Sequence, residues 1–168
     1  VNLKSICNSS GGVTVKWNKI ARADGYYIYR KLVGNKTWSK IATVKSVSTE
    51  SYKDTTPVSG KEYIYTISSY KGKKSSAYDE IGKSIMYLAR PTLKSATTTS
   101  NSAKITWSKV SGAKGYYVYR KTANTDWKKI VTITNVSTVT YTNKSLSAKT
   151  TYYYMVKAYN DKYISAYV

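Results

Sequence analysis

Apolar and polar residues alternate along short stretches of the chain, with the period of two that is typical of half-buried β-strands. One such stretch is VTVKW at residues 13–17, and a later one is AKITW at residues 103–107. Successive side chains of a strand point to opposite faces. We therefore predict that the odd-numbered residues of both stretches point into a hydrophobic core, namely Val13, Val15, Trp17, Ala103, Ile105 and Trp107.

The same pattern occurs twice along the chain. WNKIARADGYYIYRK at residues 17–31 recurs as WSKVSGAKGYYVYRK at residues 107–121, and YIYTISSY at residues 63–70 recurs as YYYMVKAY at residues 152–159. Each copy has seven short strand signals and no helical stretch, which favours a β-sandwich. We predict two domains, residues 1–89 and 90–168, and we expect the last strand of the second domain to be short or truncated.

Several features of the repeat resemble the fibronectin type III family, over essentially the whole chain. A tryptophan ends the second strand of each copy, Gly-Tyr-x-Ile/Val-Tyr opens the third strand, and Tyr63 and Tyr152 open the sixth. In that family such a tyrosine forms a tyrosine corner. The family's usual leucine, six residues earlier, is present as Leu146 but is replaced by Pro57 in the first copy. The resemblance implies an all-β fold of two tandem seven-stranded fibronectin type III-like (immunoglobulin-like) β-sandwiches.

The repeated wording W-x-K-V-x-G-A-x-G-Y-x-V-Y-R is similar to the variant found in secreted surface proteins of gut Firmicutes. That resemblance implies a non-catalytic spacer or interaction module that is extracellular, at the cell surface or in the cell wall, and we expect a monomeric fragment of a larger protein. Two functions stay open. The module mediates adhesion to a host surface protein or glycoprotein, such as an immunoglobulin or a mucin, or it tethers an enzyme to a glycan or an anionic cell-wall polymer.

Basic residues outnumber acidic residues in both halves of the chain. Residues 1–90 carry 16 basic and six acidic side chains and residues 91–168 carry 12 and two, so each half contributes +10 to the formal charge of +20. Such a field favours anionic partners, although a lysine-rich surface also serves solubility alone. Only four of the 28 basic residues are arginine, and we expect no specific nucleic-acid partner.

No constellation of catalytic residues is recognisable. The chain has no histidine, on which triads and most metal sites depend, and we predict no enzyme activity, no cofactor and no metal. Its single cysteine, Cys7, excludes an intramolecular disulfide, and we expect it to be a small buried residue of the first strand. No apolar run reaches the roughly 18 residues of a membrane-spanning helix.

The candidate binding surface follows from the same alternation. If Tyr26 and Ile28 point into the core, Tyr27 and Tyr29 face outward. If Ile41 and Thr43 point inward, Trp38 and Lys40 face outward beside them, and Ile64, Thr66 and Tyr70 lie on the same outer side. Applied to both copies, this alternation gives an aromatic and basic sheet face, with the candidates Tyr27, Tyr29, Trp38, Tyr70, Tyr117, Tyr119, Trp127, Tyr153, Met155 and Tyr159. Such rings provide contact area at low entropic cost, but they also form cross-strand ladders that simply stabilise a sheet.

Overall fold

The computed structural model describes residues 1–166 and divides the chain into two compact units after Tyr87. We call residues 1–87 unit 1 and the remainder unit 2. The division lies two residues before the boundary expected from the repeat. In the part of the chain that the structure describes, no helix has the length and apolar character needed to cross a membrane.

Unit 1 is a sandwich of two antiparallel sheets. One sheet has the order β1 (Leu3–Ser9), β2 (Gly12–Trp17), β5 (Ser51–Asp54). The other has the order β4 (Ser39–Val44), β3 (Gly25–Leu32), β6 (Glu62–Lys71), β7 (Lys74–Ser75), and β8 (Lys83–Met86) pairs with a different part of β6. The seventh strand expected from the sequence is thus split into β7 and β8 by residues 76–82.

Within its described residues, 88–166, unit 2 repeats this arrangement with six strands. One sheet has the order β13 (Thr140–Asn143), β10 (Ala103–Trp107), β9 (Leu93–Thr98). The other has the order β12 (Lys128–Ile133), β11 (Gly115–Lys121), β14 (Tyr153–Tyr159). Beyond β14, the described residues add one isolated bridge between Tyr159 and Ile164. The sequence signal expected for the last strand includes Tyr167, which lies outside the described residues.

The predicted core is confirmed in both units. The six odd-numbered residues of β2 and β10 are at most 4 % exposed. Trp17 packs against Tyr26 with ring centroids 5.2 Å apart, and Trp107 packs against Tyr116 at 5.4 Å. Each core tyrosine keeps its hydroxyl satisfied, because Tyr26 accepts a hydrogen bond from the Ile20 N–H and its counterpart accepts one from Val110. A chain without phenylalanine can therefore fill a core with tyrosine at little polar cost.

The tyrosine corner forms in both units. The Tyr63 hydroxyl accepts a hydrogen bond from the backbone N–H of Val58 at 3.0 Å, and the Tyr152 hydroxyl accepts one from Ser147 at 3.1 Å. Each bond reaches five residues upstream, which is the geometry of this corner. Pro57 is buried immediately before the donor in unit 1, so the replacement of leucine by proline leaves the corner intact.

Two orientations expected from the sequence are wrong. Cys7 is exposed, because its partner across the ladder is Thr14, whereas the inward-pointing Val15 lies opposite Ile6. Thr43 is also exposed. The pairing of β3 with β4 shifts between Ile28 and Tyr29, and such a bulge reverses the alternation beyond it.

Candidate functional site

The site is the sheet surface that faces away from the sandwich core. We call the outward side of β4, β3 and β6 the outer face of unit 1, and that of β12, β11 and β14 the outer face of unit 2. The register places Tyr117 of β11 between Thr132 and Lys157, and it places Tyr119 between Lys129 and Met155. On the outer face of unit 2, both tyrosines of the central strand are thus flanked by a lysine.

A pair of stacked tyrosines lies at one end of each outer face. Tyr27 and Tyr70 stack with centroids 4.6 Å apart and planes 17° apart, and Tyr117 and Tyr159 stack at 4.2 Å and 10°. The second ring of each pair lies over a glycine. A Cβ on Gly25 would lie 2.8 Å from the Tyr70 hydroxyl, closer than real Cβ atoms approach, and Gly115 has the same relation to Tyr159. The Gly-Tyr-Tyr sequence therefore makes this stack possible.

Lysine ammonium groups lie over the rings of unit 2. The Nζ of Lys129 is 4.6 Å from the centroid of Tyr117, and that of Lys157 is 5.2 Å from Tyr119. Partial burial lowers the pKa of Lys157. A cation at this distance is attracted to the ring face by roughly 0.5–1 kcal/mol, so rings and lysines hold one another in place.

The far end of the same face carries the rings of Trp127 and Tyr153. The Nζ of Lys121 lies 5.3 Å from the centroid of Trp127 and 5.7 Å from that of Tyr153. Tyr153 is 46 % exposed and is one of the exposed large hydrophobic residues in the described part of the chain. The outer face of unit 2 therefore ends in a ring that is open to a partner.

The outer face of unit 1 is covered in part by its own chain. Tyr78, from residues 76–82, lies 5.0 Å from Tyr29 and 5.9 Å from Trp38, measured between ring centroids. Thr66 is 1 % exposed and donates a hydrogen bond to the carbonyl oxygen of Asp79 at 2.7 Å. The expectation that Thr66 lies at an exposed surface is therefore wrong, because this segment crosses over it.

Eight of the ten sequence-predicted candidates lie in the strands of the two outer faces, and the other two, Trp38 and Trp127, directly precede β4 and β12. Nine of them are half-buried and Tyr153 is exposed. Their use in binding stays a prediction. The contacts show that the rings stack within each sheet and that part of their surface stays accessible.

A buried polar cluster of unit 1 was missed by sequence reasoning. Asp54 is 1 % exposed and accepts hydrogen bonds from Arg30 and from the Tyr65 hydroxyl, the latter at 2.8 Å. Burial alone would raise the pKa of Asp54, but hydrogen bonds from Thr56 and Tyr65 and the charge of Arg30 hold this pKa below its usual value. Burial and the hydrogen bond to Asp54 raise the pKa of Tyr65.

Unit 2 has a neutral counterpart of this cluster. Asn143 occupies the place of Asp54 and accepts hydrogen bonds from Arg120 and from the Tyr154 hydroxyl, each at 3.0 Å. The sequence did contain a signal for these clusters, because Arg30 and Arg120 lie on the inward side of the third strand of each unit and need a buried acceptor. Because the arginine and the tyrosine of each cluster both donate hydrogen bonds to its buried acceptor, we assign the clusters to stability and not to binding.

Groupings suited to metal binding are not found in the described part of the chain. No three histidine, cysteine, aspartate or glutamate side chains among residues 1–166 lie close enough together to hold a metal ion.

Comparisons with known proteins find similarity at the level of folds. No family model matches the chain, and no curated protein matches it. Two of the solved structures with a similar fold are tandem fibronectin type III segments. The two-domain segment from chicken tenascin is 17 % identical, with 98 % of this chain and 95 % of that one covered and a TM-score of 0.48. The FN1–FN3 domains of chicken CNTN1 are also 17 % identical, with a TM-score of 0.43, and the match covers 98 % of this chain and 61 % of that one.

Proposed function

We propose that the chain is a non-catalytic spacing and binding module of a secreted or wall-anchored bacterial protein, and that it binds a protein partner through the outer face of unit 2. The observation that carries this proposal is the row of rings and lysines from Tyr117 to Tyr153 on that face. A partner would be a host surface protein or glycoprotein with acidic groups beside apolar ones.

Rigid rings suit such a contact because they bury large areas while losing little conformational entropy. Tyrosine and tryptophan also dominate the residues that carry most of the binding energy in protein interfaces. Here the rings are already held by lysines and by stacking before any partner arrives. These side chains therefore lose less conformational entropy when a partner binds, and the entropic cost of association is smaller.

The lysines add electrostatic attraction. Residues 91–168 carry 12 basic and two acidic side chains, and one of the two acids, Asp161, already pairs with Lys114. A positive surface speeds encounter with acidic partners and disfavours basic ones. This excess of charge also favours a second candidate function, in which the module tethers an enzyme to an anionic glycan or cell-wall polymer.

The salt dependence of binding distinguishes the two proposed functions. We would measure binding of the whole chain to arrayed host glycoproteins, immunoglobulins, glycans and wall polymers at about 150 and 500 mM salt, because exposed charges are screened beyond roughly 4 Å at the higher value. Protein binding through rings should persist at 500 mM salt. Binding that falls steeply with salt for every polymer would favour the tether and contradict the primary proposal.

A single substitution tests whether the outer face of unit 2 is the surface that binds the partner. Tyr153→Ala should weaken a salt-resistant hit about tenfold or more, since aromatic side chains carry much of the binding energy of protein interfaces. Ile81→Ala is the matched control, because Ile81 is 84 % exposed and lies in unit 1. Equal affinities of the wild type and Tyr153→Ala for every hit would refute the assignment to this face.

A further inference from the structure

One end of unit 1 brings the loop before β3 against the hairpin that joins β6 to β7. The Asp24 N–H donates a hydrogen bond to the carbonyl of Tyr70 at 2.8 Å. The Gly72 N–H in turn donates one to the carboxylate of Asp24 at 2.7 Å. These bonds hold the loop and the hairpin together, and they direct the carboxylate of the loop to the backbone of the hairpin.

A cavity of about 230 Å³ lies between the loop and the hairpin. Its charged lining residues are Arg22, Lys71 and Lys74, and none of the described residues that line it is acidic. Within residues 1–166, none of these three cations pairs with a carboxylate. All three are exposed, so the cavity is positively charged and open to a ligand from solution.

The arginine adopts a backbone conformation that favours glycine. The φ of Arg22 is 64°, in the left-handed region where a Cβ is disfavoured. Unit 2 has Gly112 at the equivalent position, with a φ of 82°. Strain of this kind is concentrated at functional sites. The fold itself accepts glycine there, so the backbone does not explain why unit 1 has an arginine.

The two lysines face each other across the hairpin. Lys71 pairs directly with Lys74 in the ladder between β6 and β7. Like charges directly opposite one another destabilise an antiparallel pair. Unit 2 has the neutral residues Asn160 and Tyr163 at the equivalent positions. An anion bound between the lysines of unit 1 would offset their repulsion.

We propose that this cavity is an oxyanion-binding site, and that its ligand is a phosphate or sulfate group carried by an extended polymer. The planar guanidinium of Arg22 donates two parallel hydrogen bonds to such a group. Lys71 and Lys74 supply two further positive charges. The cavity is open to solvent, so the polymer that carries the group extends away from it. The site lies in unit 1, and it does not rest on the function proposed for the outer face of unit 2.

The first test titrates the whole chain with inorganic phosphate and, separately, with sulfate, each at constant ionic strength against chloride. Constant ionic strength removes the general screening of exposed charges as an explanation. The backbone amide resonances of Arg22 and of residues 71–74 should shift and saturate, whereas those of Gly112 and of residues 160–163 should not. Shifts that are equal with chloride, or that are spread evenly over all lysines, would overturn the proposal.

Two substitutions place residues of unit 2 in the cavity of unit 1. Arg22→Gly removes the guanidinium at a position where glycine adopts the backbone conformation readily, so the melting temperature of unit 1 should not fall. Lys71→Asn removes one of the two facing charges. Each should weaken phosphate binding about fivefold or more, because hydrogen bonds between charged groups are roughly twice as strong as neutral ones.

The matched control removes a lysine elsewhere in unit 1. Lys53 is an exposed residue of β5, and Lys53→Asn should leave phosphate binding unchanged. Equal affinities of the wild type and Arg22→Gly would overturn the proposal. Equal weakening by Arg22→Gly, Lys71→Asn and Lys53→Asn would also overturn it, because binding would then follow net charge alone.

Two carriers distinguish the sources of the anionic group. A short glycerol phosphate oligomer carries phosphate, and a sulfated oligosaccharide carries sulfate. At least one should bind about tenfold more tightly than its free anion, because linked groups raise the effective concentration at the site, and Arg22→Gly should remove this gain. If neither carrier binds more tightly than its free anion, the ligand is not part of a polymer and the proposal is overturned.

Discussion

The two units have similar hydrophobic cores but differ in the group buried beneath the third strand. In unit 1, the carboxylate of Asp54 accepts hydrogen bonds from Arg30 and Tyr65. In unit 2, the amide of Asn143 accepts hydrogen bonds from the equivalent arginine and tyrosine. Equivalent hydrogen bonds are thus accepted by a carboxylate in unit 1 and by a neutral amide in unit 2.

The outer faces differ as well. Residues 76–82 place Tyr78 against Tyr29 and Trp38 in unit 1, whereas the outer face of unit 2 ends in the exposed Tyr153. The strands beneath are nearly identical in pattern. In unit 1, residues 76–82 therefore decide how much of the outer face is available to a partner.

The largest expected effect tests the buried ion pair. Asp54→Ala leaves the Arg30 guanidinium and the Tyr65 hydroxyl without their acceptor, and it should lower the free energy of unfolding of unit 1 by about 3–5 kcal/mol. Asn143→Ala, the matched change in unit 2, should cost about 1–3 kcal/mol. Hydrogen exchange under increasing urea reports each unit separately. Equal losses of unfolding free energy in the two units would show that the charge of Asp54 does not contribute to the stability of unit 1.

The tyrosine stack over a glycine occurs in both units, and substitution of that glycine should destabilise the two units equally. Gly25→Ala and Gly115→Ala each bring a Cβ against a facing backbone carbonyl and a stacked tyrosine, and each should cost about 1–3 kcal/mol. Ring-current shifts of Tyr70 and Tyr159 should show that the stacks loosen. A loss confined to one unit would mean that the stacks are not equivalent.

The stability of unit 1 should depend on pH through Asp54, whereas the equivalent Asn143 of unit 2 does not ionise. The pKa of Asp54 lies below its usual value of 3.8 in the folded chain, so its contribution is present above about pH 4 and is lost as the pH falls through the lower folded value. Between pH 5 and pH 2 wild-type unit 1 should therefore lose more stability than the Asp54→Asn variant. Parallel pH profiles in urea unfolding would contradict this account of Asp54.

The smallest effect concerns the cover over unit 1. Tyr78→Ala removes two ring contacts, and it should destabilise unit 1 by only about 0.5–1.5 kcal/mol. Acrylamide should then quench Trp38 fluorescence more strongly, and a second binding surface should become available on the chain. Unchanged quenching would show that residues 76–82 do not shield this ring.

Sequence patterns predicted what depends on alternation and repetition. The inward residues of β2 and β10 and the tyrosine corners are confirmed, because each follows from a local rule. Thr43 and Thr66 were misjudged for non-local reasons. A bulge in the pairing of β3 with β4 turns Thr43 outward. Thr66 is covered by Asp79, which lies 13 residues away in the chain.

The candidate surface was predicted as a set of positions, and its internal contacts were not. Alternation placed the ten candidates on one side of their sheets, but it could not show that Lys157 would lie over Tyr119 or that Tyr78 would cover Tyr29. The polar cluster was missed because Asp54 and Arg30 are 24 residues apart and meet only across the sandwich.

The most direct test of the proposed binding surface compares two equivalent lysines. Lys129 lies over Tyr117 in unit 2, and Lys40 lies over Tyr27 in unit 1. For a protein partner found in the array, calorimetric titration should show that Lys129→Glu weakens binding about tenfold or more and that Lys40→Glu changes it less than about twofold. If both variants weaken binding equally, or if neither does, the outer face of unit 2 is not the surface that binds the partner.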